Sequence, residues 1–310
     1  MNKKLLALVL VITFSNIYSQ TTYEFLRLDT SPRAAAVAGS FVANSDDPNV
    51  IFYNPAGINL LSNTPVSFSF LKHLMDINSA SLALSKEYDE LGRFSLGIKY
   101  INYGEFTKAT SEGTKTGNFG AGDIAFIVGY GNELGENFYY GTNVKFIYSG
   151  IADYSSTALA VDLGLLYTLP DDNWNFGFSV LNLGTQLSKY IDKSEDLPLD
   201  IRLGFSKRLE KVPFRFFWSF NKLNEEEGSF FDRFKQITFG GEFKLGQSLN
   251  LRFGYDTEKR KDLKIGTTAG LAGFSLGLGF NAASYTVDYS FSSMGSIGAL
   301  HRFGISTNFD

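Results

Sequence analysis

The sequence predicts an all-β protein, a 14-stranded antiparallel transmembrane β-barrel with an N-terminal luminal plug that contains a short helix. Three observations predict it. Apolar and polar residues alternate with period two from Thr64 onward, the connections between alternating segments switch between short and long, and about forty residues before the first segment lack the alternation.

Composition agrees with this class. The chain of 310 residues has 30 Phe, 16 Tyr and 31 Gly, but 2 Trp, 7 Pro and no Cys. Aromatic residues suit pleated surfaces, and dispersed glycine marks turns and close strand contacts. The mean hydropathy of -0.05 is far too low for a helical membrane protein. A barrel gives such a value because one strand face meets lipid and the other a polar interior. With 28 Lys plus Arg against 32 Asp plus Glu, the net charge of -4 offers no basic field for nucleic acid. The absence of Cys removes disulfides, thiolate nucleophiles, zinc-thiolate sites and a lipoprotein anchor.

The first segment has the layout of a secretory signal peptide over 1–19. Lys3 and Lys4 precede the apolar run Leu5 to Phe14, and Tyr18-Ser19-Gln20 follows, with cleavage expected after Ser19. A buried N-terminal strand is the alternative. The run is shorter than the roughly 20 apolar residues of a spanning helix.

Residues 20–63 form the expected plug. Ser31, Pro32 and Arg33 make a polar start with Pro in the first turn, Ala34 to Ala38 favour helix, and Gly39 ends it. Asn44 to Asn49, with Asp46 and Asp47, form one turn cluster, and Asn54-Pro55-Ala56-Gly57 another. A barrel of this size encloses more space than inward side chains occupy, so such a segment can fill the lumen.

The barrel itself spans 64–310. Strands are expected near 64–71, 78–88, 92–103, 121–132, 137–149, 157–169, 173–183, 198–210, 213–222, 234–245, 248–257, 273–280, 284–292 and 299–309. Many are near the 9–11 residues of a tilted membrane strand. Tight connections at 89–91, 133–136, 170–172, 211–212, 246–247 and 281–283 alternate with longer ones at 72–77, 104–120, 150–156, 184–197, 223–233, 258–272 and 293–298. That places short turns and both termini on the periplasmic side. The run Lys264 to Gly270 is assigned to a loop, although it would also suit a short strand. A soluble sandwich also shows alternation, but its strands are shorter and its apolar faces point inward.

The run Phe25-Leu26-Arg27-Leu28-Asp29-Thr30-Ser31-Pro32-Arg33-Ala34-Ala35-Ala36-Val37-Ala38-Gly39, followed by Asp46-Asp47 and Asn54-Pro55-Ala56-Gly57, resembles the opening of the PorV/PorQ family of type IX secretion components. That family is in turn similar to FadL-like long-chain fatty-acid transporters, in which the Asn-Pro-Ala element recurs. The late run Gly270 to Ser275 and Asp288-Tyr289 resembles PorQ, which the Ala-rich segment also favours over PorV. The resemblance implies an outer-membrane docking or anchoring barrel for a secreted or cell-surface protein partner. The alternative it implies is a FadL-like channel with a hydrophobic ligand in the lumen.

No catalytic constellation stands out. His73 is expected in an external loop and His301 on the outward face of the last strand, so a Ser-His-Asp arrangement is not favoured and no enzyme is expected. Asp46, Asp47 and Asn49 lack the spacing of a calcium loop and read as a solvated turn. Gly117, Gly120 and Gly122 lack the β-α-β context of a dinucleotide fingerprint and read as loop and strand-entry glycines. No metal or cofactor is implied. Lys99, Lys145, Asp162, Arg202, Arg208, Glu242, Lys244, Arg252, Asp256, Asp288 and Arg302 are expected inward, paired with each other and with the plug. Facing lipid, Arg or Lys at mid-depth would cost about 2–4 kcal/mol. In the loops, Glu225, Glu226 and Glu227 beside Phe230 and Phe231 form a candidate partner-binding patch, or aromatic residues packed on the rim.

Overall fold

The computed structural model describes residues 21–225, 230–263 and 270–309, the side chains of 230–232 excepted. The signal-peptide region and its cleavage point lie outside the described residues, as do Glu226, Glu227 and residues 264–269.

The strands are β1 (Thr64–Lys72), β2 (Asn78–Tyr88), β3 (Gly92–Ala109), β4 (Lys115–Gly135), β5 (Phe138–Ile151), β6 (Tyr154–Leu169), β7 (Trp174–Ser188), β8 (Asp200–Arg208), β9 (Phe214–Phe220), β10 (Ile237–Leu245), β11 (Leu249–Asp256), β12 (Phe274–Ala282), β13 (Tyr285–Ser293) and β14 (Ala299–Phe309). Each pairs antiparallel with the next, and β14 closes on β1, with Thr64 opposite Phe309 and Lys72 opposite His301. Closure of the sheet pairs every strand on both sides over most of its length, the condition for crossing a membrane with strands.

Two of the expected long connections are strand instead. Most of 104–120 continues β3 and β4 as a hairpin that turns at 110–114, and most of 150–156 continues β5 and β6 around a turn at Ala152-Asp153. β7 likewise runs on to Ser188. Extended hairpins keep their backbone groups paired beyond the wall, so polarity in 104–120 marks exposure to water and not the end of pairing. The connection after β11 opens with a short helix, α1 (Thr257–Asp262), capped by Asp256, whose carboxylate accepts from the amides of Glu258 and Lys259.

The two faces of the wall differ as a membrane requires. Phe68, Phe70, Leu96, Phe126, Val128, Phe146, Leu163 and Phe303 point outward and are exposed, whereas Ser67, Ser69, Lys99, Asn143, Asp162, Glu242 and Arg302 point inward and are buried. A sandwich would reverse this arrangement, so that alternative is excluded. Aromatic rings also link neighbouring strands across the outer surface. Phe205 stacks on Trp218 at 6.1 Å, Trp218 on Phe239 at 5.6 Å, and Tyr255 meets Phe274 at 4.8 Å.

Residues 21–63 fill the lumen. They run from the loop end, where Thr21 bridges Asp196, to the turn end, where Asn63 leads into β1. The path is built from three capped turns: the expected helix at Pro32–Ala36 and 3-10 turns at Pro48–Phe52 and Pro55–Leu60. Each starts with a side chain accepting a backbone N–H just before a proline. Ser31 accepts from Ala34 at 3.3 Å, Asp47 from Asn49 at 2.9 Å and Asn54 from Ala56 at 3.1 Å. The cap satisfies one orphan donor and proline fixes the first helical φ, so short turns hold without regular secondary structure around them. The helix ends at Ala36, short of the expected Ala38, with Val37 as its cap, and the chain then turns away through positive φ at Ala38 (56°) and Gly39 (74°).

The turns pack so closely that the wall lacks side chains beneath them. A Cβ at Gly141 would lie 2.4 Å from the Pro55 carbonyl carbon, and one at Gly254 would lie 2.4 Å from the Ala38 nitrogen. Around the turns, Val37, Phe41, Val50, Ile51, Phe52 and Ile58 form a buried apolar cluster with Ile127 and Phe217 of the wall. Gly141→Val should therefore lower the unfolding free energy in detergent by about 1–3 kcal/mol, the usual cost of overpacking. Guanidinium titration checks this, and an unchanged midpoint would contradict so close a seat.

Candidate functional site

The inward charges meet the plug at one residue above all. Arg33, on the first turn of the plug helix, places Nε 2.9 Å from Glu242 Oε2 and Nη2 3.0 Å from Oε1, a bidentate pair with the wall. Its Nη1 lies 3.0 Å from Asp46 Oδ1 and 3.6 Å from Asp47 Oδ2, so it also ties the plug to itself. Glu242 Oε2 further accepts from Arg252 Nε at 2.7 Å, and Arg252 pairs with Asp288. On the other side Asp46 Oδ2 lies 3.1 Å from Arg215 Nη1 and 3.7 Å from Arg208 Nη2. One chain of alternating charge thus runs across β13, β11, β10, plug, β9 and β8.

Further anchors hold the rest. Arg302 Nε donates to the Asp29 carbonyl at 2.7 Å, and Tyr53 donates to Asp29 Oδ1 at 3.0 Å. Lys99 Nζ donates to the carbonyls of Leu26 and Leu28, both at 2.8 Å. Asn143 donates to the Ile51 carbonyl at 2.9 Å, and Asn54 to those of Val42 at 2.8 Å and Leu165 at 3.0 Å. Wall side chains therefore satisfy plug carbonyls that no regular structure serves.

The expected solvated turn is exposed at Asp46 but buried at Asp47 and Asn49. Arg33 draws both inward, and Asp47 is buried while Asp46 stays about a third exposed at the turn end. Burial pushes Asp46 up, but Arg33, Arg215 and Arg208 outweigh it and hold the carboxyl below its usual value. Burial is likewise outweighed at Asp29, here by Lys259, Arg302 and Arg202. Among the described residues, no group of acids and histidines is arranged for a metal ion.

Of the other residues singled out by sequence, Pro32, Ala56 and Gly57 are buried in the plug. Arg208 and Lys244 point inward at the turn-end mouth but remain exposed to water there, because the lumen is open at that level. Glu225 lies 3.1 Å from Arg27 of the plug, whereas Phe230 and Phe231 fall in a 3-10 turn whose side chains there are not described. His301 faces outward as expected and bonds Tyr289 through Nδ1 at 2.8 Å, which leaves it structural.

A second feature escaped the sequence reading. β7 pairs with β6 along its length but with β8 only from Trp174 to Leu181. At that point the β6–β7 register shifts and Asn182 adopts φ 61°. Asn182 is held there by Asp162 Oδ1, which accepts its N–H at 2.8 Å, and by Lys145 Nζ, which donates to its Oδ1 at 2.7 Å. Lys145 also pairs with Asp162 at 2.8 Å. Residues 182–188 thus stand without a strand partner on the β8 side among the described residues. Behind them lies a second buried cluster. Tyr23, Phe25 and Leu26 of the plug meet Ile101, Ala125, Ile147, Ala158 and Ala160 of the wall and Leu197 of the β7–β8 loop. The alternation break at Val180-Leu181 was its only signal in the sequence.

No family model and no curated protein matches the chain, so the resemblance to PorV and PorQ rests on its motif residues. Solved structures do match in fold. The Ralstonia pickettii toluene transporter TbuX shares 11% identity with a TM-score of 0.59, over 90% of this chain and 98% of that one. A Pseudomonas aeruginosa FadL homologue shares 10% at 0.59, over 91% and 98%. The Pseudomonas putida toluene transporter TodX shares 12% at 0.54, over 86% and 96%. At such identity they establish the FadL-like barrel fold.

Two outcomes follow from the charge chain. Arg33→Met leaves Glu242, Asp46 and Asp47 short of a partner and should destabilise plug seating by about 3–5 kcal/mol. Faster proteinase K cleavage within residues 21–63 at neutral pH would register it. The pH dependence has a definite sign, since acids whose folded pKa is depressed contribute stability that is full above the unfolded value and lost as pH falls below it. For Asp29 and Asp46 the unperturbed value is 3.8. Plug protection should stay constant from pH 7 to 5 and decline only below about 4; a decline already complete at pH 5 would exclude these carboxylates.

Proposed function

We propose that this chain is an outer-membrane channel for small hydrophobic molecules, non-enzymatic, with its short turns in the periplasm and its loops outside. One observation carries the reading: pairing between β7 and β8 ends at two buried ion pairs, Lys145–Asp162 and Arg202–Asp200, and beyond them the β7 segment 182–188 is backed by an apolar cluster. The small side chains of Ala125, Ala158 and Ala160 leave space that Tyr23, Phe25 and Leu26 of the plug occupy. A hydrophobic molecule passing beside β7 on the loop side of those pairs would find apolar contacts and would displace Tyr23, Phe25 and Leu26 of the plug. The straight path down the lumen offers the opposite, because Arg33, Glu242, Arg252 and Asp46 cross it. Desolvating an apolar solute against buried ions gains nothing. Toluene, carried by the transporters of similar fold, is the natural probe.

A second reading has support of its own. The plug is tied to the wall on many sides, and a barrel shut in this way can serve as a membrane anchor that engages a secretion-system or cell-surface partner through its loops, as the PorQ-like motif residues imply. Toluene uptake by cells producing the chain separates the two. Under the channel reading uptake exceeds that of cells lacking it, and Ala160→Trp, which fills the apolar cluster, lowers it severalfold. No gain in uptake, together with recovery of a secretion component in a pull-down from outer membranes, would favour the anchor.

A further inference from the structure

Almost every inward glycine of the wall has a reason in the plug; three others in the strands have none, Gly135 at the turn end of β4 and two that lie together on the outward face. Gly120 on β4 and Gly150 on β5 have no positive φ, and a Cβ on either would meet nothing closer than ordinary van der Waals contact. Glycine weakens a strand, and where the fold does not demand it, it marks a place that something else approaches closely. Neighbouring Gly117 and Gly104 differ, since both have positive φ.

These two glycines floor a groove of about 540 Å³ on the outer side of β3, β4 and β5. Its walls are Tyr100, Asn102, Glu105 and Asn118, while Phe119, stacked on Phe106 at 5.4 Å, alternates to the other face of the hairpin. Asn118 donates to Glu105 Oε2 at 3.2 Å. Asn102 is fixed by accepting from the Gly104 amide at 2.7 Å. The groove begins where the lipid-facing band ends: Tyr100 and Tyr148 lie at its lower rim, above outward Phe126 and Phe146.

We infer that this groove seats an uncharged sugar ring of a glycolipid in the outer leaflet of the membrane. The Tyr100 ring matches a C–H face of a pyranose, the amides of Asn102 and Asn118 and the Glu105 carboxylate match its hydroxyls, and a glycine floor admits the flat ring. No Lys or Arg lines the groove, so a phosphate headgroup has no partner in it. Its place directly above the aromatic rim favours a sugar tethered to lipid over a free one. The inference rests on the outer-membrane placement of the channel reading and on nothing else in it.

Native mass spectrometry of the full chain in detergent, titrated with rough-type lipopolysaccharide, tests it. The wild type should bind, and Gly120→Val/Gly150→Val should bind about tenfold more weakly. Phosphatidylethanolamine should bind both equally. Valine suits strands, and heat-modifiable migration reports folding; if the double variant does not fold, Asn102→Ala/Glu105→Ala takes its place with the same expectation. Equal lipopolysaccharide affinity, an equal loss for phosphatidylethanolamine, or equally tight binding of the delipidated core oligosaccharide would each overturn the proposal. Toluene uptake by the same variants, expected unchanged, keeps this test separate from that of the channel.

Discussion

The structure depends on a guanidinium placed where it cannot avoid being paired. A fourteen-stranded wall leaves a lumen too wide for its own inward side chains, and Arg33 sits within it on a helix of five residues. Such a helix is far too short to be stable alone. Its position is fixed because Glu242 on one side and Asp46 and Asp47 on the other meet a single planar fork of donors, and a fork of that kind tolerates little displacement.

The rest of the interior follows from that anchor. With the helix seated, the two 3-10 turns lie against β1 to β6, and the wall answers with glycine where backbone meets backbone and with Asn143, Lys99 or Arg302 where a carbonyl needs a donor. Ions line the lumen at both levels, from Glu242, Arg215 and Asp46 near the turn end to Asp29, Lys259 and Arg202 nearer the loop end. Two apolar clusters lie between them, and the one beside β7 underlies the proposed passage along the wall.

Much of this was legible from the residues. Period-two alternation located all fourteen strands because a one-residue slip would turn every lipid-facing side chain inward. The inward charges were legible for the same reason. Loop lengths misled at 104–120 and 150–156, where polar sequence continues a hairpin into water and no hydrophobic face signals it. Ser31-Pro32, Asp47-Pro48 and Asn54-Pro55 are three copies of one device, a cap before a proline, but only the first announced a helix, since the other two lack an alanine run behind them. Asp47 and Asn49 read as solvated because their partners Arg33 and Ser67 come together only when the plug seats against the wall. The bulge at Asn182 depends on Lys145 and Asp162 of other strands and was invisible for the same reason.

Backbone amide hydrogen exchange of the plug, followed by mass spectrometry in detergent at neutral pH, tests most directly that it is part of the rigid structure. The account predicts that residues 31–60 exchange as slowly as wall strands β4 to β6, in one cooperative unit with them. Fast exchange across that segment, with the wall still protected, would contradict it.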